Sequence, residues 1–317
     1  MPKPDLLVAA RFPPYLMQRL AQDFVVHDRL HESDPAAFDA VAAKLRAIAC
    51  SGESKVPRAL LDRLPALEMI SVMGVGYDGV DVAAAIERSV PVSHTPNVLN
   101  DDVADLAIAL MLAVSRRIPQ ADRFVRENRW PEGAFPLARK MSGARLGIVG
   151  FGRIGQAIAH RATAFGMSIA YTARSEKKEL PHRFYPSAAA LAAQVDFLVV
   201  ITPGGAGTAR LINREVLDAL GPQGYLVNVA RGSVVDQAEL IDALRSGRIA
   251  GAALDVFDNE PQVPQALREL DNVVLTPHIG SGTQATREAM ADLAHANLVA
   301  HFSGLPLPSA VPECRRA

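Results

Sequence analysis

The sequence predicts an α/β protein built on two doubly wound parallel sheets, with a cleft between the two domains. Three observations predict it. Short apolar runs alternate with helical stretches along nearly the whole chain, a glycine-spaced turn joins one such run to a helix, and the polar residues of greatest chemical interest follow apolar runs. A chain of 317 residues with 49% hydrophobic content is long enough for two domains, each with an ample core.

The elements read in order as follows. Apolar runs at 6–10, 24–26, 47–50 and 69–72, separated by helical stretches such as 14–22, predict a small parallel unit. Asn100 is a candidate N-cap for a long helix, with Asp101 and Asp102 in its first turn, Arg116 and Arg117 in its last and Pro119 beyond it. That helix is apolar almost all round, so it is expected to be buried, between the domains. A second unit then begins with the strand 146–149 and the amphipathic helix 156–165, and continues through strands at 167–172, 197–201, 225–229, 249–254 and 273–276. The last helix, 284–302, stops at Gly304 and Pro306 and is expected to cross back onto the first unit. The domains are therefore expected at 1–98 with 285–317, and at 99–284, the two connections forming a hinge.

Between 145 and 155 the chain reads Arg-Leu-Gly-Ile-Val-Gly-Phe-Gly-Arg-Ile-Gly. Each glycine has its own physical reason: Gly150 makes the tight turn, Gly152 lets backbone approach a pyrophosphate, and Gly155 packs the helix against the strand. Arg153 and Ile154 complete the cradle, and the helix N-terminus faces the anion. Strand before and helix after are the setting that a Rossmann cofactor domain requires. An acidic residue at the end of the second strand would accept from a ribose 2′-hydroxyl. The chain instead has Ala173, Arg174 and Ser175, then Lys177 and Lys178, which predicts a preference for NADP(H) over NAD(H). The bland alternative is a solvated charged loop.

The net charge of −1 offers no electrostatic reason to bind nucleic acid or an acidic membrane. The apolar run near the start is too short for a signal peptide or a membrane span, so a cytoplasmic location is expected. Cys50 and Cys314 have neither paired nor metal-ligand spacing, and neither a disulfide nor a metal site is expected.

Ligands of doubly wound sheets bind beyond the carboxyl ends of the strands. Three strand ends there carry Val229-Ala230-Arg231-Gly232, Asn259-Glu260-Pro261 and Thr276-Pro277-His278-Ile279-Gly280. Singly, each has a bland reading: a helix-capping cation, a loop carboxylate and one histidine among eight. Together, beside a dinucleotide cradle, they point to an acid–base site with an anion-holding guanidinium.

These stretches, with Gly74-Val-Gly-Tyr-Asp78, Thr95-Pro-Asn-Val-Leu99, Val103-Ala-Asp-Leu-Ala107 and Leu254-Asp-Val-Phe257, resemble the D-isomer-specific 2-hydroxyacid dehydrogenases over essentially the whole chain. Within that family the chain looks most like the glyoxylate/hydroxypyruvate and hydroxyphenylpyruvate reductases. The resemblance implies a flavodoxin-like substrate domain beside the Rossmann domain, and a two-fold dimer through the cofactor domain. It implies that Arg231 binds the carboxylate and keto oxygen of a 2-oxoacid and polarises the carbonyl. His278 then exchanges a proton with that oxygen, and Glu260 on its other ring nitrogen favours the imidazolium. Backbone amides around Val75 and Gly76 match the loop that receives the substrate carboxylate, although the glycines there also suit a plain turn. Asp255 matches a residue contacting the nicotinamide carboxamide, and also suits a turn or cap. Thr202 and Pro203 would border the nicotinamide. Trp130, Phe135 and Leu137 match a loop that shapes the pocket, sometimes of the neighbouring subunit, or simply packs a dimer. Small acids such as glyoxylate and hydroxypyruvate are the expected substrates. Bulkier acids (phenylpyruvate-type or 2-ketogluconate) and a cofactor-sensing scaffold, as in corepressor relatives, are the alternatives.

Overall fold

A computed structural model describes residues 2–315. The chain divides into two compact units, one formed by residues up to Leu99 together with those from Thr283 onward, the other by Asn100–Gly282.

The first unit holds five parallel strands, β1 (Asp5–Val8), β2 (Val25–Asp28), β3 (Leu45–Ser51), β4 (Met69–Met73) and β5 (Val92–Ser93), in the order β2-β1-β3-β4-β5. This is the flavodoxin-like order, and its switch point lies between β1 and β3. Residues Ile48, Ile70, Val72 and Val92 of the strands pack with Leu61 and Ala84 from the intervening helices, and with Leu64 from a loop, in one buried cluster. The helix Gln284–Phe302 belongs to this unit, and the Ser71 hydroxyl of β4 donates to its Ala294 carbonyl at 2.9 Å. That helix occupies the very span the hydrophobic pattern predicts. Strands 1 and 2 are displaced by one or two residues from the apolar runs. The run at 6–10 continues past β1, where Ala9 donates its N–H to Ala49 and accepts from the Ser54 hydroxyl before the chain turns away at Pro13 and Pro14.

The second unit holds seven parallel strands: β6 (Arg145–Val149), β7 (Ser168–Thr172), β8 (Arg183–Phe184), β9 (Phe197–Val200), β10 (Tyr225–Asn228), β11 (Gly251–Leu254) and β12 (Val273–Leu275). Their order, β12-β11-β10-β9-β6-β7-β8, reverses direction between β6 and β9, which is the switch point of a Rossmann sheet. Strands β6, β9, β10 and β11 are buried on both faces and read as continuous apolar runs, as parallel sheets require. The helix Asn100–Arg116 lies in this unit and buries Val103, Ala104, Ala107, Ile108, Leu110, Met111 and Val114. Its exposed stripe carries Asp101 and Asp105, both paired with Arg161 of the helix Arg153–Thr163. The predicted end at Arg117 falls one residue late. Arg117 takes a left-handed conformation, and Pro119 opens a further helix, Ile118–Arg126, rather than marking a stop.

Candidate active site

All strands of the second sheet run parallel, so the loops after β6, β7, β9, β10, β11 and β12 emerge on one edge. Three of them assemble the predicted acid–base group. The Nδ1 atom of His278 lies 2.7 Å from Oε2 of Glu260, and the two side chains are 27% and 23% exposed. The other Glu260 oxygen, Oε1, accepts the Phe257 N–H at 2.8 Å, which fixes the carboxylate plane. Burial alone would raise the Glu260 pKa, but the hydrogen bonds from His278 and Phe257 and the positive charges of His278 and Arg231 outweigh it. The carboxyl is held below its ordinary value and stays ionised at neutral pH.

Arg231 follows β10 and opens a 3-10 turn, Gly232–Val234. Asn228 shapes this loop from both sides, with Oδ1 accepting from Ala230 N–H at 3.0 Å and Nδ2 donating to the Arg231 carbonyl at 2.9 Å. Gly232 is required for a close approach, because a Cβ there would overlap the Phe257 backbone. That contact brings the Arg231 loop against the loop carrying Glu260, and Arg231 is close enough to lower the Glu260 pKa.

The structure assigns Asp255 a role in holding His278 in place. It is 1% exposed, and its Oδ1 accepts from the Thr276 hydroxyl at 2.6 Å and the Ile279 N–H at 2.8 Å, while Oδ2 accepts from the Gly280 N–H at 2.8 Å. Its carbonyl also accepts the His278 N–H at 2.9 Å. The loop 276–280 is thereby clamped around one buried carboxylate, and His278 is held at φ +52°, in the left-handed region. Burial pushes the Asp255 carboxyl up, and the three donors oppose that shift. Neither the clamp nor the part of Asn228 is readable from spacing, since both work through backbone amides.

The glycine turn has the stereochemistry a dinucleotide needs. Gly150 has φ +97°, and a Cβ there would stand 2.7 Å from the Ile201 carbonyl oxygen, beside Thr202. A Cβ at Gly155 would overlap the Gly150 carbonyl oxygen, whereas one at Gly152 would meet nothing within 4 Å. The space over Gly152 is open while its neighbours are filled, and no side chain caps the first turn of the helix Arg153–Thr163. An anion at that N-terminus would meet unoccupied N–H donors, so the residues fit a dinucleotide pyrophosphate. Arg153, Arg174 and Ser175 are exposed along the same edge, with Ile154 and Thr202 half-buried and Pro203 exposed.

Val75 and Gly76 lie on the first unit, in the half-buried loop after β4. The loop is braced by the residues just after β5: Thr95 N–H donates to the Gly74 carbonyl at 2.8 Å, and His94 Nδ1 lies 3.0 Å from the Val75 carbonyl oxygen. Arg231, Glu260 and His278 belong to the second unit.

A switch-point glycine cradle on the edge that also carries an Arg and a Glu–His pair defines a dinucleotide-binding oxidoreductase architecture. Residues 108–280 match the D-isomer specific 2-hydroxyacid dehydrogenase family in its NAD binding domain, and the chain belongs to that family. It is 48% identical over 305 residues to a hydroxyphenylpyruvate reductase of Plectranthus scutellarioides, covering 95% of this chain and 97% of the relative. To a 2-ketogluconate reductase of Gluconobacter oxydans it is 45% identical over 301 residues, covering 95% and 96%. An NADPH-dependent glyoxylate/hydroxypyruvate reductase from Sinorhizobium meliloti, crystallised with NADP and malonate, superposes with a TM-score of 0.94 at 45% identity over 100% of both chains.

Proposed function

We propose that the chain reduces small 2-oxoacids, glyoxylate and hydroxypyruvate, to D-2-hydroxyacids with NADPH. The observation that carries the reading is the 2.7 Å pair between His278 Nδ1 and the ionised Glu260, on the sheet edge that also bears the glycine cradle. With Nδ1 committed to Glu260, the proton passes between Nε2 and the substrate oxygen. Arg231 holds the substrate carboxylate and keto oxygen through its guanidinium fork and stabilises negative charge developing on that oxygen. Bound NADPH supplies the hydride that reduces C2. In this reading the pyrophosphate rests on Gly150, Gly152, Arg153, Ile154 and Gly155, Arg174 and Ser175 meet the 2′-phosphate, and Thr202, Pro203 and Asp255 border the nicotinamide. The first unit is the substrate-binding domain, and Val75 and Gly76 offer their backbone amides to the carboxylate.

Three supporting features bear on the setting. Of the eight exposed large hydrophobics among the described residues, Ile118, Val125, Trp130 and Leu137 fall within one stretch of the second unit, in keeping with a cover provided by a second copy in a homodimer. Among the described residues no helix is long and apolar enough to cross a membrane. The two cysteines are unbridged, and burial pushes the Cys50 thiol up to about 12, in keeping with a reducing cytoplasm. Reduction of a bulkier acid is the second reading, favoured by the similarity to hydroxyphenylpyruvate and 2-ketogluconate reductases.

His278→Gln tests the assignment. Turnover with hydroxypyruvate is expected to fall by about a hundredfold or more, the scale of general acid catalysis, with NADPH affinity nearly unchanged. Near-normal reduction by this variant would remove His278 as the proton donor.

A further inference from the structure

One aromatic side chain joins the two ends of the proposed dinucleotide site. Tyr171 of β7 is fully buried, and its ring stacks on Phe151 with centroids 4.3 Å apart and planes inclined by 21°. Phe151 stands between Gly150 and Gly152 in the glycine turn. The Tyr171 hydroxyl reaches past the end of its own strand, where it accepts the Lys177 N–H at 2.7 Å and lies 3.4 Å from the Lys177 carbonyl oxygen. That same carbonyl accepts the Leu180 N–H at 3.0 Å, closing the loop on itself. Phe184 of β8 flanks the ring at 5.5 Å. The Lys177 backbone is therefore fixed relative to the glycine turn by a side chain, not by a strand ladder.

The segment held in this way carries, around the neutral Ser175, charges of mixed sign in close succession: Arg174, Glu176, Lys177, Lys178 and Glu179. A slip of one residue between the end of β7 and the tether would bring Glu176 to the place of Ser175. A carboxylate would then face the group that a cation and a hydroxyl otherwise meet, so the register of this loop decides the sign of the local field.

We propose that the Tyr171 hydroxyl is a positioning group that sets discrimination between a 2′-phosphate and a 2′-hydroxyl on the bound dinucleotide. The proposal rests on the NADP(H) reading above. Tyr171 touches neither group itself; it acts through the backbone of Lys177, and through it on Arg174 and Ser175.

Tyr171→Phe keeps the ring and its stack on Phe151 and deletes the tether. The measurement is calorimetric binding of adenosine 2′,5′-bisphosphate and of 5′-AMP to the full chain, with Arg174→Ala as a second variant and a melting curve for each protein. The wild type is expected to prefer the bisphosphate. Tyr171→Phe is expected to lower that preference by about fivefold to tenfold, the scale of one lost buried hydrogen bond, with 5′-AMP affinity nearly unmoved and the melting temperature lowered by no more than about a few degrees. A preference kept in Tyr171→Phe but lowered in Arg174→Ala would overturn the tether and leave the NADP(H) reading standing. Equal weakening of both ligands would also overturn it, as a merely structural effect. A wild type with no preference would overturn both.

Discussion

Asp255→Asn changes one atom of a buried carboxylate and removes its charge. In the native loop Oδ1 accepts from Thr276 and the Ile279 N–H, and Oδ2 accepts from the Gly280 N–H. An asparagine with its oxygen in the Oδ1 place sets an amide N–H against the Gly280 N–H. The opposite orientation sets it against the Ile279 N–H, although the Thr276 hydroxyl can turn to accept. Either way one backbone donor at a side chain only 1% exposed loses its acceptor, which costs about 1–3 kcal/mol, and the remaining bonds lose their charge assistance. Burial pushes the Asp255 carboxyl up, so removing the charge recovers some desolvation, and a net loss of about 2 kcal/mol is the expected result. The clamped segment holds His278 at φ +52°, so loosening it misplaces the proton donor. If the whole of that loss appeared in the transition state, turnover would fall by about thirtyfold. The assay pairs urea denaturation with kcat for 2-oxoacid reduction. A variant with native stability and native kcat would refute the clamp.

Other perturbations follow the same physics. Glu260 is held below its usual pKa and stays charged across the neutral range, and the reduction rate is expected to fall in alkali as the proton donor loses its proton. Glu260→Gln withdraws that negative charge and is expected to move the alkaline midpoint of kcat to lower pH by about one unit or more, read from a pH–rate profile. Asp196 accepts the Arg145 N–H at 2.8 Å and binds the guanidinia of Arg145 and Arg139, which lower its pKa. Because the folded value lies below the unfolded one, its stabilisation is complete above about pH 4 and is lost as pH falls through the folded value. Asp196→Asn is expected to cost about 1–2 kcal/mol at pH 7 and progressively less in acid, measured by denaturation across pH. Gly155→Ala places a Cβ into the Gly150 carbonyl and is expected to weaken NADPH binding at least about tenfold, read by fluorescence titration.

Much of this molecule was legible in its sequence, for identifiable reasons. The central strands β6, β9, β10 and β11 are apolar on both faces and flanked by polar loops, so their positions follow from hydrophobicity alone. Gly150 and Gly155 announce a tight turn because no other residue fits where they stand. Glu260 and His278, each beyond a strand end, meet at 2.7 Å as their pairing in the sequence reading requires. The edge strands β5 and β8, two residues each, carry no readable period. The helix Ile118–Arg126 was hidden by its own Pro119, which marks a helix start as readily as a stop. The Asp255 clamp and the Tyr171 tether were hidden differently: apart from the Thr276 hydroxyl their donors are backbone N–H groups, which every residue but proline carries, so little in the residue types distinguishes them.

Initial rates of NADPH and NADH oxidation with glyoxylate, hydroxypyruvate, phenylpyruvate and 2-ketogluconate, taken side by side on the wild-type chain, test the proposed reaction. Rapid oxidation of NADPH with the two small acids, and slower oxidation of NADH, is the expected result. Binding of both dinucleotides with no turnover of any acid would contradict the account and move a cofactor-sensing role to the front.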